Sequence, residues 1–325
     1  MEVIIAADGR SYALLKKEFP LLEFIVLQGY EINYPLKGTM LTKMLLSIPK
    51  IIAGIYREHR TLQKIISEKK IDAIISDNRF GLWSKKIYSI FITHQVKIKA
   101  PFGENILYRI NRYFINKYNE CWIPDVTGEN NFAGDLSHNF SGIENANYIG
   151  LLSRMENKGE NLKYDLVVTL SGPEPQRTIF ENIILKQLTN TLLKTLVVQG
   201  ISEKQERKNI AEQVEIVSHL NSKDMQDAMA ASKIILCRSG YSSIMDIAVL
   251  GKKKVIFVPT PGQTEQEYLA SYFSKKGIAY SIPQKDFNLA TAIEESNKYK
   301  GFENTTENTV FKKQLDNFLG KLIPS

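Results

Sequence analysis

The feature that most constrains this chain is an alternation. Short runs rich in Val, Ile and Leu recur along it, separated by longer segments of helical period. A strand covered on both faces reads as a continuous apolar run, and a helix lying on a sheet repeats its apolar residues every three to four positions. The alternation therefore predicts parallel βαβ units. In the first half the predicted strands are EVIIAA, FIVLQ, DAIIS, SIFIT, ECWIP and NYIG; in the second they are DLVVTL, TLVVQ, VEIVS, KIILC, KVIFV and IAYSI. A chain of 325 residues is long for one domain and comfortable for two. The reading is α/β, with two Rossmann-like, doubly wound domains and mostly parallel sheets.

A polar stretch, LLSRMENKGENLKY, separates the two series. It predicts a first domain over residues 1–151, a linker over 152–164, a second domain over 165–304 and a helical closing segment over 305–325. No apolar run approaches the roughly 18 to 20 residues that span a bilayer. The opening segment, MEVIIAAD, lacks the basic leader and cleavage site of a signal peptide, so the expected location is cytoplasmic. The two cysteines, Cys121 and Cys237, each sit in an apolar run and read as buried thiols. No Cys and His cluster has metal-ligand spacing, and neither a metal nor a cofactor is expected. The formal net charge of +7 favours anionic partners, and no nucleic-acid-binding signature accompanies it.

In doubly wound folds, ligands gather beyond the carboxyl ends of the strands. Four regions there carry candidate chemistry. In LSGPEPQRT, Gly172 permits close backbone approach, while Arg177 and Thr178 open the next helix. This is either a phosphate site or a Pro-stiffened turn. In CRSGYSSIMDIAVLG, Ser239, Ser242 or Ser243 can cap a helix, or Gly240 can open its first amides to an anion. Asp246 lies one turn in, suited to a ribose diol or to the helix dipole. In VPTPGQTEQEYLA, Gly262 turns the chain, and Gln263, Gln266 and Glu267 suit sugar hydroxyls or a plain helix start. In the first half, ISDNRFG and ITHQ put Asp77 and His94 at strand ends, the best candidates for a general base.

Taken together, the run CRSGYSSIMDIAVLGKKKVIFVPTPGQTEQEYLA resembles the C-terminal domain of glycosyltransferase family 28. That family includes the lipid-linked N-acetylglucosaminyltransferase of peptidoglycan synthesis. The resemblance covers residues 165–282 in detail, because three loops agree in order and spacing. It implies the GT-B architecture of two Rossmann-like domains facing across a cleft, with a closing helix that crosses back to the first. It implies that Arg238, Ser239 and Gly240 lie near the donor diphosphate, that Asp246 takes the ribose, and that Gln266 and Glu267 lie near the donor sugar. Gly172 falls on a phosphate loop, and His219 and Leu220 precede a segment similar to the one beside the nucleotide base.

The implied reaction is metal-independent, inverting transfer of a sugar from a nucleoside diphosphate, UDP for preference, to an acceptor hydroxyl. Arg177 or Arg238 would help neutralise the leaving diphosphate. A nucleotide-sugar hydrolase, an epimerase and a binding-only homologue remain as alternatives. In one respect the chain departs from the family: MEVIIAADGRSYALLKKEFP is similar to the second strand and helix of such proteins, so the first strand and its Gly-rich loop are expected to be missing. The segments PLKGTMLTKMLLSIPKIIAGIYREHR and NILYRINRYFINKY mix apolar and basic residues. They suit either core-facing amphipathic helices or contact with an anionic membrane that carries a lipid-linked acceptor.

Overall fold

The computed structural model describes residues 2–29, 40–100, 102–157, 159, 161–201, 205–303 and 309–322. Of the amphipathic segment at 35–60, residues 35–39 and the side chains of 40–48 lie outside the described set. The chain divides into two compact units. The first comprises Met1–Pro124, Asp135–Ile149 and Lys312–Ser325, and the second Asp125–Gly134 and Gly150–Phe311.

The first unit opens with β1 (Ile4–Ala7), α1 (Gly9–Glu18) and β2 (Glu23–Val26), then the long α2 (Met40–Lys69). It continues through β3 (Ala73–Asp77), β4 (Tyr88–Ile92), α3 (Glu104–Ile115), β5 (Glu120–Ile123) and β6 (Ala146–Tyr148). β3 to β6 form a parallel sheet in chain order, and β1 and β2 a separate parallel pair. Among the described residues no ladder joins the two sheets, so β1 and β3 each pair on one side only. Ile75 on β3 is correspondingly exposed, whereas every residue of β5 is buried. The core of the four-stranded sheet gathers Phe91, Ile115, Tyr118, Cys121 and Ile123, and Cys121 is a buried free thiol.

The second unit contains β7 (Tyr164–Thr169), α4 (Gln176–Leu188), β8 (Thr195–Val198), β9 (Arg207–Ala211), β10 (Val214–Val217), α5 (Ser222–Ala230) and β11 (Ser232–Cys237). It closes with α6 (Tyr241–Val249), β12 (Val255–Phe257), α7 (Thr264–Lys275), β13 (Tyr280–Ser281) and α8 (Leu289–Ser296). The sheet order is β13-β12-β11-β7-β8-β10-β9. Alternate residues of β7 feed opposite faces: Leu166 and Val168 pack with Phe180 and Ile184 of α4, while Val167 packs with Leu196, Val217 and Ala228. This is why a fully apolar run was the right signal for a strand. All twelve predicted strands are present. β9, unpredicted, is the sole antiparallel member of its sheet and lies at an edge, four of its five residues exposed. Its sequence RKNIA carries no apolar alternation, and it is held by its ladder and by an Arg207–Glu215 ion pair across it.

The last helix, α9 (Thr309–Leu322), docks onto β5 through one carboxylate. Glu120, 7% exposed, accepts hydrogen bonds from Tyr88 Oη at 2.5 Å, Trp122 Nε1 at 2.7 Å, Gln314 Nε2 at 2.7 Å and Lys321 Nζ at 2.5 Å. Phe318 meets the Trp122 ring edge-on at 6.0 Å. Burial alone would raise the Glu120 pKa, but the bonds from Lys321, Tyr88 and Trp122 outweigh it and hold it at about 2. A carboxyl whose folded-state pKa lies below its unfolded value adds stability above the unfolded pKa and loses it as pH falls toward the folded one. Thermal melts between pH 6 and 2 should therefore show wild type losing stability below the ordinary carboxylate range. Glu120→Gln should start with a lower midpoint and show a smaller drop across that window.

Candidate functional site

β12, β11 and β7 are neighbours in the sheet and run parallel, so their following loops emerge together at one edge. Gly172, after β7, has φ +102°, a left-handed value that favours glycine. A Cβ there would stand 3.2 Å from Thr260 Oγ1 in the loop after β12. That hydroxyl is buried and has no hydrogen-bond partner among the described residues. Sequence reasoning passed over Thr260, because a lone Thr between two prolines carries no pattern.

The helix cap that competed with an anion site is absent. Gly240 occupies the N-cap of α6 with extended backbone, and no side chain caps the helix there. Nothing lies within 4 Å of where a Gly240 Cβ would be. Around the first turn of α6, which is the positive end of the helix, Ser242 is exposed and Ser243 half-buried. An anion is the natural complement of such an end.

Both arginines expected near the diphosphate are committed to protein partners. Arg238 is 0% exposed and does not face the open loop. Its guanidinium donates to the carbonyls of Val258 at 2.9 Å, Pro259 at 3.2 Å and Gln176 at 3.1 Å, and to Gln284 Oε1 at 2.6 Å. It also stacks on Phe180, 4.2 Å from the ring centroid. Burial pulls its pKa down to about 10, still protonated at neutral pH. Arg177 is likewise committed, to Glu174 at 2.6 Å and Glu181 at 2.8 Å, and it reaches the exposed Thr178 at 2.8 Å. Glu174 also accepts from the Thr178 amide at 3.2 Å, which sets a carboxylate at the start of α4 and makes that end a poorer anion site than α6.

Other predicted donor-side residues hold the loops in shape. Ser239 Oγ donates to the Gln266 carbonyl at 2.7 Å. Gln266 Oε1 accepts from the Thr260 amide at 2.8 Å, and Glu267 from the Gly262 amide at 2.9 Å. Gln263 is the N-cap of α7 and makes no side-chain cap bond. His219 is exposed ahead of α5, and Leu220 packs against the core on the β7–β8–β10 face. Asp246 lies within α6, and Ser153 Oγ donates to its Oδ1 at 2.6 Å. Burial raises the Asp246 pKa, with Ser153 and Arg154 pulling against that rise. Ser153 belongs to the stretch read as a linker. Residues 151–157 group with the second unit, with Leu151 and Met155 buried.

In the first unit, Asp77 ends β3 and His94 follows β4, whose register sets Asp77 opposite Ile92. Crowding by protein raises the Asp77 pKa although the residue keeps an open face to solvent, and His94 pulls it back. Nearby Arg79 is tied to Glu58 at 2.6 Å and to the Leu27 carbonyl at 3.0 Å. The remaining histidines are structural in their contacts: His59 stacks on Trp83 at 3.9 Å and His138 on Tyr148 at 4.7 Å. Among the described residues no group of three His, Cys, Asp or Glu is arranged to hold a metal.

Known proteins share this architecture. The glycosyltransferase of kitacinnamycin superposes with TM-score 0.66 at 12% identity, covering 99% of this chain and 92% of that one. MurG of Acinetobacter baumannii gives 0.52 at 14% identity, over 97% and 90%. The fold is GT-B, with two Rossmann-like units. Residues 176–318 match the model of the glycosyltransferase family 28 C-terminal domain. A UDP-N-acetylglucosamine-N-acetylmuramyl-(pentapeptide) pyrophosphoryl-undecaprenol N-acetylglucosamine transferase of Thermoanaerobacter sp. (strain X514) is 29% identical over 144 residues, 41% of this chain and 38% of that protein. The enzyme of the same name from Haemophilus influenzae (strain PittEE) is 25% identical over 267 residues, 78% and 70%. The matched stretch spans about two fifths of the first such relatives, 38% in one and 41% in another.

Because Arg238 joins three carbonyls and an amide oxygen from separate elements, removing it should loosen the loops at the sheet edge. Arg238→Met is expected to cost about 2–4 kcal/mol, as buried acceptors are left unpaired. Urea unfolding measures this. A loss below about 1 kcal/mol would contradict the strut role.

Proposed function

We propose that this protein is a glycosyltransferase moving a sugar from a nucleoside diphosphate, UDP for preference, to an acceptor hydroxyl, with inversion and without a metal. The observation that carries the reading is the uncapped N-terminus of α6 beside the Gly172 and Thr260 loops, in a family 28 C-terminal domain. Loss of a nucleoside diphosphate builds negative charge on the leaving phosphates. Preorganised amides at a helix start stabilise that charge without reorganising. On this reading α6 takes the diphosphate, Asp246 the ribose, and the loop from Gly262 to Glu267 the sugar. Asp77, coupled to His94, removes the proton of the acceptor hydroxyl as it attacks.

Isothermal calorimetry with UDP and a panel of UDP-sugars tests the donor half. Asp246→Asn should weaken UDP at least about fivefold, since a charge-assisted hydrogen bond is lost. The same variant should melt higher than wild type in the absence of ligand. A carboxyl whose pKa is raised by folding holds its proton more tightly in the folded chain, so its contribution is full at low pH and fades as pH rises through the folded value. At neutral pH the buried charge is therefore a cost that Asn removes. Asp77→Asn should lower kcat by about 10²–10⁴ with UDP affinity within about twofold of wild type. Product analysis with and without acceptor alcohols separates transfer from hydrolysis and epimerisation, and donor binding without turnover would favour a binding-only protein.

The acceptor side favours a membrane setting, with the protein peripheral to the cytoplasmic face. On α3 and the turn before it, Phe102, Ile106 and Tyr113 are exposed at 65%, 54% and 49%, on the same helical face as Arg109. Arg109, Arg112, Tyr113, Asn116 and Lys117 line a shallow groove. No carboxylate pairs with these three cations among the described residues, and no described helix is long and apolar enough to span a bilayer. Aromatic and aliphatic side chains ringed by cations without carboxylate partners suit an anionic lipid surface. Flotation with vesicles containing acidic phospholipid should carry the protein upward, with purely zwitterionic vesicles and Arg109→Glu/Arg112→Glu each reducing the floated fraction.

A further inference from the structure

The stretch 151–157 reads in sequence as a polar spacer, yet each of its polar members is anchored. Arg154 Nη1 donates to Ser222 Oγ at the start of α5 at 2.9 Å. The Glu156 amide donates to Gln226 Oε1 on α5 at 2.9 Å, and Asn157 Nδ2 to the Leu250 carbonyl at the end of α6 at 3.2 Å. With Leu151 and Met155 buried beneath it, the segment is strapped across the helix that carries Asp246 and the helix beside it.

Within that strap Ser153 has one hydroxyl proton and one clear use for it. Its Oγ accepts from the Met155 amide at 3.0 Å and donates to Asp246 Oδ1 at 2.6 Å. The Met155 bond fixes the hydroxyl's orientation, and the short second bond is of the charge-assisted kind. Asp246 Oδ2 accepts no hydrogen bond from any described residue, and the side chain is half-buried rather than sealed. A carboxylate in a helix otherwise turns broadly about its last torsion. Clamping one oxygen converts that rotor into a single acceptor with a set direction.

We infer that Ser153 is a positioning residue, which holds one oxygen of Asp246 so that the other is presented to the ribose diol of the donor nucleotide. This rests on Asp246 being the ribose contact, as proposed above. The predicted consequence is discrimination between ribose and 2′-deoxyribose that depends on a residue outside the nucleotide's own contacts. Ser153 also favours the ionised form of Asp246 by hydrogen bonding to it. Its removal should therefore raise the pH below which nucleotide affinity falls away.

The experiment is calorimetric titration of the full chain with UDP and with 2′-deoxy-UDP between pH 5 and 8, for wild type, Ser153→Ala, Ser153→Thr and Asp246→Asn, with thermal melts to show that each folds. Wild type should prefer UDP. Ser153→Ala should lose about three- to tenfold in UDP affinity, the range of one hydrogen bond. Its affinity for 2′-deoxy-UDP should stay within about twofold, its acid limb should move to higher pH, and Ser153→Thr should restore the wild-type pattern. Unchanged discrimination and pH profile in Ser153→Ala, or equal losses for both nucleotides, would overturn the positioning role while leaving Asp246 intact if Asp246→Asn still abolishes the preference. Absence of any preference in wild type, with Asp246→Asn behaving alike, would instead overturn the ribose contact and the inference with it. Failure of wild type to bind either nucleotide would do the same.

Discussion

Arg238 brings a full positive charge into the interior of the second unit, and the site loops depend on how that charge is satisfied. Five donors in a rigid fork suit several acceptors at once, and here four oxygens from three places converge on it. Two come from the strand end after β12, one from the first turn of α4, and one from Gln284. The guanidinium thereby ties the loop after β11 to the elements on either side. With Arg238 turned inward, the outward face of that loop is left to backbone. Gly240 then starts α6 with no cap and open space before it. The start of α6 is left to its own backbone amides, and the arginine acts by holding the loop ahead of it in position.

The same economy of side chains runs through the neighbouring loops. Ser239, Gln266 and Glu267 spend their polar atoms on backbone partners that shape the turns after β11 and β12. Ser153 occupies one carboxylate oxygen of Asp246, and the proposed ribose contact rests on the other. In the first unit a different constraint governs. Glu120 gathers four donors, two of them from α9, so the end of the chain is fastened to β5 through a single buried carboxylate.

Much of the fold was legible. Runs such as DLVVTL and KIILC are apolar throughout because both faces of the sheet are covered, and they became β7 and β11. β9 was illegible for the converse reason: an exposed edge strand needs no apolar run, only a ladder and a charge pair. The partners of the polar stretch at 151–157 were illegible for a related reason. Composition marks it as a linker, but its hydrogen bonds run to residues 68 to 93 positions away, such as Ser222 and Asp246, and no local pattern announces a partner at that range.

By itself, the sequence determined the class of fold and which loops lie at the carboxyl ends of the strands, because strand and helix periodicities are local and follow directly from burial. It also marked the loop residues on which the proposed nucleotide site rests. Only the tertiary structure decided what each of those residues does. Whether Arg238 faced a phosphate or a carbonyl, whether Ser239 capped α6 or braced α7, and whether Asp246 had a partner all depended on contacts between distant elements. A charged or polar side chain takes the best-placed acceptor that folding brings to it, and that acceptor is set by packing rather than by neighbours in the chain.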